Sequence, residues 1–206
     1  MDSPEDRQRF TRRLEAFSDI VFGFALAQSA VALEVPKNAG DVIAHAGQLI
    51  YFVVTFVVIV MFWVMHYRIF HYVFAARRLD VLLNFLLLAV VALLPYALRI
   101  YIQFPDTALG SGTYALALGI GLALIAALEY RGLDGLSGEM RQRWTGIAMR
   151  HGIPAAVFLL SVPLFVVMGA YARLEWVLVV PALLLARRFA RAAAAAAGTA
   201  PARSES

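Results

Sequence analysis

Hydrophobic positions in this chain fall into long unbroken blocks, separated by short charged segments. Six blocks are long enough to consider as spans: 14–33, 42–67, 81–98, 113–128, 152–172 and 174–186, the last being the shortest. No stretch alternates at period two between turn signals, which argues against a transmembrane barrel. Blocks of about 20 apolar residues are the unit expected of helices that must satisfy every backbone polar group without water. The pattern predicts an all-α, polytopic membrane protein with six transmembrane helices. The third block carries no charge; the first is interrupted by Glu15, Asp19 and Gln28.

Charge then orients the blocks. Six spans put both termini on one side. The segments on that side hold 15 of the 18 basic residues, all of them arginine, whereas the other side holds only Lys37, Arg99 and Arg173. By the positive-inside rule this predicts both termini in the cytoplasm, in the cell membrane, and the asymmetry supports the count of six. Residues 1–191 are expected to form one transmembrane unit. Residues 192–206, an alanine run and then small polar residues, are expected to be a disordered cytoplasmic tail.

Composition agrees and removes several functions. The chain is 62% hydrophobic and 16% charged, too few polar residues to cover a soluble domain. Without cysteine, disulfides and thiolate chemistry are excluded. The net charge of +4 comes from arginines at the ends of the blocks, with no basic stripe interleaved with aromatics, so a nucleic-acid partner is not expected. Met1 to Arg13 lacks the apolar core and cleavage site of a signal peptide. Pro95, Pro163 and Pro181 mark bends inside helices, and Pro154 is expected near the start of the fifth, where its missing N–H is harmless.

The first block holds most of the unusual chemistry. It is rich in small residues (Ala16, Gly23, Ala25, Ala27, Ser29, Ala30 and Ala32), and small faces allow close helix packing in lipid. An ionised Asp in the bilayer costs at least ~2.5–3.5 kcal/mol on insertion scales. Asp19 lies six residues beyond Arg13, roughly 9 Å along a helix, near the cytoplasmic edge of the hydrocarbon. It ties the helix to its neighbours through Arg and His partners, shapes a polar ion entrance, or does both. Ile20, Phe24, Ala27, Gln28 and Val31 share one helical face. On its own that face reads as core packing, with Gln28 bonded to another helix.

Other polar residues carry little chemistry by themselves. His66 has no second ligand at metal spacing on its helix, and no metal or other cofactor is implied. Ser18, His66 and Asp19 could be drawn as a triad, but adjacency of Ser18 and Asp19 misplaces the acid, so an enzyme is not expected. Glu34, Lys37 and Asp41 border the outer mouth, as solvated loop charges or as cation-concentrating ones. Glu129, beside Arg131, is expected to pair or to be solvated. Trp63, Trp144 and Trp176 fit interface anchors.

The run Arg13-Leu-Glu-Ala-Phe17-Ser18-Asp19, followed by an apolar helix ending in Glu34-Val35-Pro36, resembles the opening of the TMEM175 family of potassium-permeable channels. Trp63-Val-Met-His66-Tyr-Arg68-Ile-Phe70 resembles that family's second helix, and Leu83-Asn84 with Leu93-Leu94-Pro95 its third. The resemblance covers about the first 100 residues. It implies a homotetramer with the first helix of each subunit at the centre and no carbonyl filter. It places the pore constriction at Phe24, Gln28 and Val31, with K+ as the permeating ion. It makes Arg13, Phe17, Ser18, Asp19, Trp63, His66, Arg68 and Asn84 the motif and bracing network of that helix. Three positions depart from the family: bulky Ile20 follows Asp19, and Phe24 and Gln28 stand where aliphatic residues are usual. Four Phe24 rings around an axis would close a path by dewetting. The alternatives are a proton-linked secondary transporter using Asp19 and His66, against which no inverted repeat is visible, and a non-conducting membrane scaffold.

Overall fold

The computed structural model describes residues 3–31, 46–104 and 106–169, with isolated positions 33, 37, 38, 40, 171, 177, 181 and 184. The described residues form helices α1 (Pro4–Val31), α2 (Ala46–Tyr72), α3 (Arg78–Gln103), α4 (Ala108–Gly132) and α5 (Gly138–Met168), with a 3-10 turn (Leu133–Gly135) between the last two. The protein is all-helical, and these five helices are long and apolar enough to cross a membrane. The expected sixth span (174–186), the tail (192–206), Glu34, Asp41 and Trp176 lie outside the described residues, apart from isolated positions within that span.

The helices run well past the apolar blocks. α1 begins ten residues before Leu14, because Ser3 caps it: its Oγ accepts from the Asp6 amide at 3.1 Å and donates to the Asp6 carboxylate at 2.8 Å. Pro4 follows in the first helical position, where a missing N–H costs nothing. α5 likewise starts at Gly138, fourteen residues before its expected block. Apolarity marks what suits lipid, and the backbone ladder does not stop where the arginines begin. Pro154 therefore lies deep inside α5 and not at its start, so the ladder bond its N–H would make to the preceding turn is missing there.

α4 is the central packing element, running along both α3 and α5, while α1 packs on α2 and α3. Small residues set the close approaches. A Cβ at Gly119 would fall 2.8 Å from the Leu159 side chain, and one at Gly132 would fall 2.5 Å from that of Val73. Phe22 and Ala25 of α1 enter one core with Ile59, Phe62 and Ile69 of α2, Leu87, Val91 and Leu94 of α3, and Ile125 and Leu128 of α4. Trp144 belongs to that core too. It is buried beneath Tyr72 (ring centroids 5.9 Å apart) and is not an interface anchor.

A buried polar cluster behind the first helix

α1 presents two unlike faces. Leu14, Ser18, Phe22, Ala25 and Ser29, spaced by three and four, are buried against α2 and α3. Roughly opposite lie Phe17, Ile20, Phe24, Ala27, Gln28 and Val31, all exposed, with Phe24 at 68% and Val31 at 85%. The face read as core packing is thus covered by none of the described residues, and Gln28 makes no bond to another described helix. Gly23 is also open, since an added Cβ there would meet no atom within 4 Å.

The buried face carries a three-helix hydrogen-bond chain. Ser18 Oγ donates to the Leu14 carbonyl at 2.8 Å, one turn back on α1. Asn84 Nδ2 of α3 donates to Ser18 Oγ at 3.2 Å. With its amide spent in that direction, Asn84 turns Oδ1 toward His66 Nε2 of α2, 2.9 Å away, so that nitrogen carries the proton. Ser18, His66 and Asn84 are all essentially inaccessible. The His66 ring packs between Phe22 (5.4 Å) and Phe70 (4.4 Å), and its Nδ1 has no hydrogen-bond partner. Buried polar groups bonded across helices fix register, because in a dry site the unpaired alternative is expensive.

The remaining motif residues divide. Asp19 lies beside the buried chain, where the Trp63 indole N–H donates to its Oδ1 at 2.9 Å. Its partner is thus an indole, in place of the Arg or His expected. Phe17 packs on Phe85 of α3 at 5.9 Å. Arg13 is exposed and is not brought into the cluster. Arg68 turns away from it, its guanidinium lying 5.9 Å above the Trp144 ring.

Two ionic clusters escaped the sequence reading. Asp80, buried in the first turn of α3, accepts from Arg77 Nε at 2.9 Å, the Arg77 amide at 3.2 Å and Arg131 Nε of α4 at 2.5 Å. Arg77 also donates to Asp134 at 2.9 Å and to the Arg131 carbonyl. Hydrogen bonds to Asp80 and then Asp134 raise the Arg77 pKa still further. Glu129 is buried and bonded to His151 Nδ1 of α5 at 2.8 Å, so its partner is neither Arg131 nor solvent. Asp80 three residues after Arg77 hints at the first cluster, but Arg131 and Asp134 lie more than fifty residues from their partners and only folding brings them in. Among the described residues no group of three potential metal ligands converges.

These features define a polytopic helical membrane protein. Its first helix is tied inward by a buried Ser–Asn–His chain, and its other face is covered by none of the described residues. Residues 13–95 match the family model described as endosomal/lysosomal potassium channel TMEM175. A protein named potassium channel from Streptomyces collinus is 38% identical over 90 residues, 41% of this chain and 44% of that one. Another so named, from Marivirga tractuosa, is 29% identical over 92 residues, 45% of this chain and 37% of that one. The chain thus aligns with less than half the length of these relatives. The fold is similar to the crystal structure of the potassium channel MtTMEM175, a variant in complex with a nanobody–MBP fusion (TM-score 0.68, 19% identity, 86% of this chain and 92% of that one). It is also similar to a structure described as a lysosomal potassium-selective channel TMEM175 homolog from Chamaesiphon minutus (TM-score 0.58, 24% identity, 88% and 97%).

Proposed function

We propose that this chain is one subunit of a potassium-permeable cation channel, a homotetramer whose α1 helices surround the conduction path. One observation carries the reading: α1 buries its polar Ser18 face inside the subunit and leaves Ile20, Phe24, Gln28 and Val31 uncovered. Exposing the Gln28 amide, Gly23 and the nearby Asp19 to lipid would be unfavourable. Copies of the same face around a central axis remove that penalty. Phe24 and Val31 then form apolar constrictions, and Gln28 supplies amides between them. Ser18, Asn84 and His66 hold the helix's inner side, while Trp63 fixes the Asp19 carboxylate at its flank; Phe17 seats against Phe85. The relatives named as potassium channels support K+ as the permeant ion. The arginine asymmetry supports cytoplasmic termini in the cell membrane.

Purified protein in liposomes tests this. Flux that follows an imposed K+ gradient without coupling, altered in rate or selectivity by Phe24→Ala or Gln28→Ala, is the expected result. Saturable exchange coupled to protons would instead indicate a carrier, and no flux a scaffold. If neither substitution changes a measurable flux, the pore face is elsewhere.

A further inference from the structure

At the arginine-rich end of the bundle, where α1 begins and α2 turns into α3, lies a cleft of about 470 Å³ walled by Arg7, Ala75, Ala76, Arg77 and Arg78. Among the described residues neither Arg7 nor Arg78 has an ion-pair partner. Arg77 is committed to Asp80 and Asp134, which also occupies those two carboxylates, and Asp6 is engaged by Ser3. Arg7 and Arg78 therefore line one concavity, and neither has an ion-pair partner among the described residues. The cleft also opens at the positive end of α3, where Asp80 already accepts the Arg77 amide. Ala76 holds φ at +52°, the left-handed conformation that lets the chain turn sharply into that helix. A second cleft of about 450 Å³ shares Arg7 and Ala75 and is lined as well by Ser3, Pro4, Gln8, Thr11 and Phe74, a mixed compartment beside the charged one.

We infer that the Arg7–Arg78 cleft binds a phosphate group, carried by an anionic lipid headgroup or by free phosphate. Basic pockets between transmembrane helices suit such headgroups, and guanidinium matches phosphate oxygens two at a time. The inference does not depend on whether the protein conducts ions.

Purified full-length protein in nonionic detergent is titrated with phosphatidylglycerol by native mass spectrometry and with inorganic phosphate by thermal shift. Variant Arg7→Gln/Arg78→Gln is compared with Arg9→Gln/Arg143→Gln, two exposed arginines outside both clefts. The cleft variant is expected to weaken the bound probe roughly tenfold to thirtyfold, and the control pair less than threefold. Single Arg78→Gln, expected to show an intermediate loss, replaces the double variant if the latter melts lower without probe. Phosphatidylglycerol binding that phosphate does not compete assigns the site to lipid; competition by phosphate assigns it to the free anion. Binding of neither probe, an unchanged cleft variant, or equal losses in both pairs overturns the inference.

Discussion

Removing the Asn84 side chain is the most informative single perturbation of the bundle. Asn84→Ala deletes both interhelical bonds of the chain, the 3.2 Å donation to Ser18 and the 2.9 Å acceptance from His66. In membranes such bonds average ~0.6 kcal/mol each, reaching about 1.7. His66 makes the loss larger. Its Nδ1 already has no partner, so losing Asn84 leaves both ring nitrogens unsatisfied, at a further ~1–3 kcal/mol. The total expected is about 2–5 kcal/mol. Ser18→Ala removes the acceptor of the Asn84 amide and a donation to the Leu14 carbonyl, which keeps its own helix-ladder bond, so it should cost about 1 kcal/mol. The assay is reversible unfolding of the full chain in mixed micelles titrated with dodecyl sulfate, closed as a double-mutant cycle. Native secondary structure of each variant before titration is checked by circular dichroism. An Asn84→Ala penalty below ~0.5 kcal/mol, or no coupling between the two sites, would refute the proposed inward bracing of α1.

Further expectations concern other contacts. Gly132→Ala places a methyl 2.5 Å from the Val73 side chain and 2.8 Å from its carbonyl oxygen, so the melting transition should fall by an amount equivalent to ~1–3 kcal/mol. Gly23→Ala meets nothing in the subunit; thermal stability of detergent-dissociated protomers should hold or rise, while cross-linked tetramer yield should fall if α1 lines the assembly. Asp80→Asn strips the shared counter-charge from Arg77 and Arg131, with side chains 39% and 29% exposed. That partial exposure tempers the loss to roughly 2–3 kcal/mol, readable as a lower unfolding midpoint, against 3–5 for a fully buried pair. Trp63→Phe, which keeps the ring and loses the bond to Asp19, should cost about 0.5–1.5 kcal/mol; unchanged stability together with unchanged liposome flux would show that this bond does not position α1.

Much of this architecture follows from the sequence alone. Unbroken apolar blocks without period-two alternation can only be helices once lipid is the solvent, because a closed barrel is the one other arrangement that satisfies the backbone there. The 3.6-residue period put Ile20, Phe24, Gln28 and Val31 on one side of α1, and the structure leaves that side uncovered. Phe17-Ser18-Asp19, Trp63 and His66 carried enough of the family pattern to be recognised, although not in the contacts they make. Helix limits were less legible: hydropathy reports solvent preference, whereas α1 and α5 begin where Ser3 caps the one and Gly138 opens the other, ten and fourteen residues outside their apolar blocks.

Tertiary structure alone decided which polar groups meet. Asp19 found an indole N–H, since the α1–α2 crossing brings Trp63 to it while Arg13 stays exposed. Glu129 found His151 and not the nearby Arg131, which is drawn to Asp80 on α3. Local sequence spacing specifies which face of a helix a residue occupies. The partner across a 2.9 Å hydrogen bond depends on helix crossings, and those are set by where glycines such as Gly119 and Gly132 allow two backbones to approach. The same holds for the first helix: its sequence marks two faces, but only the packed bundle shows that Ser18 turns inward and that no described residue covers Phe24.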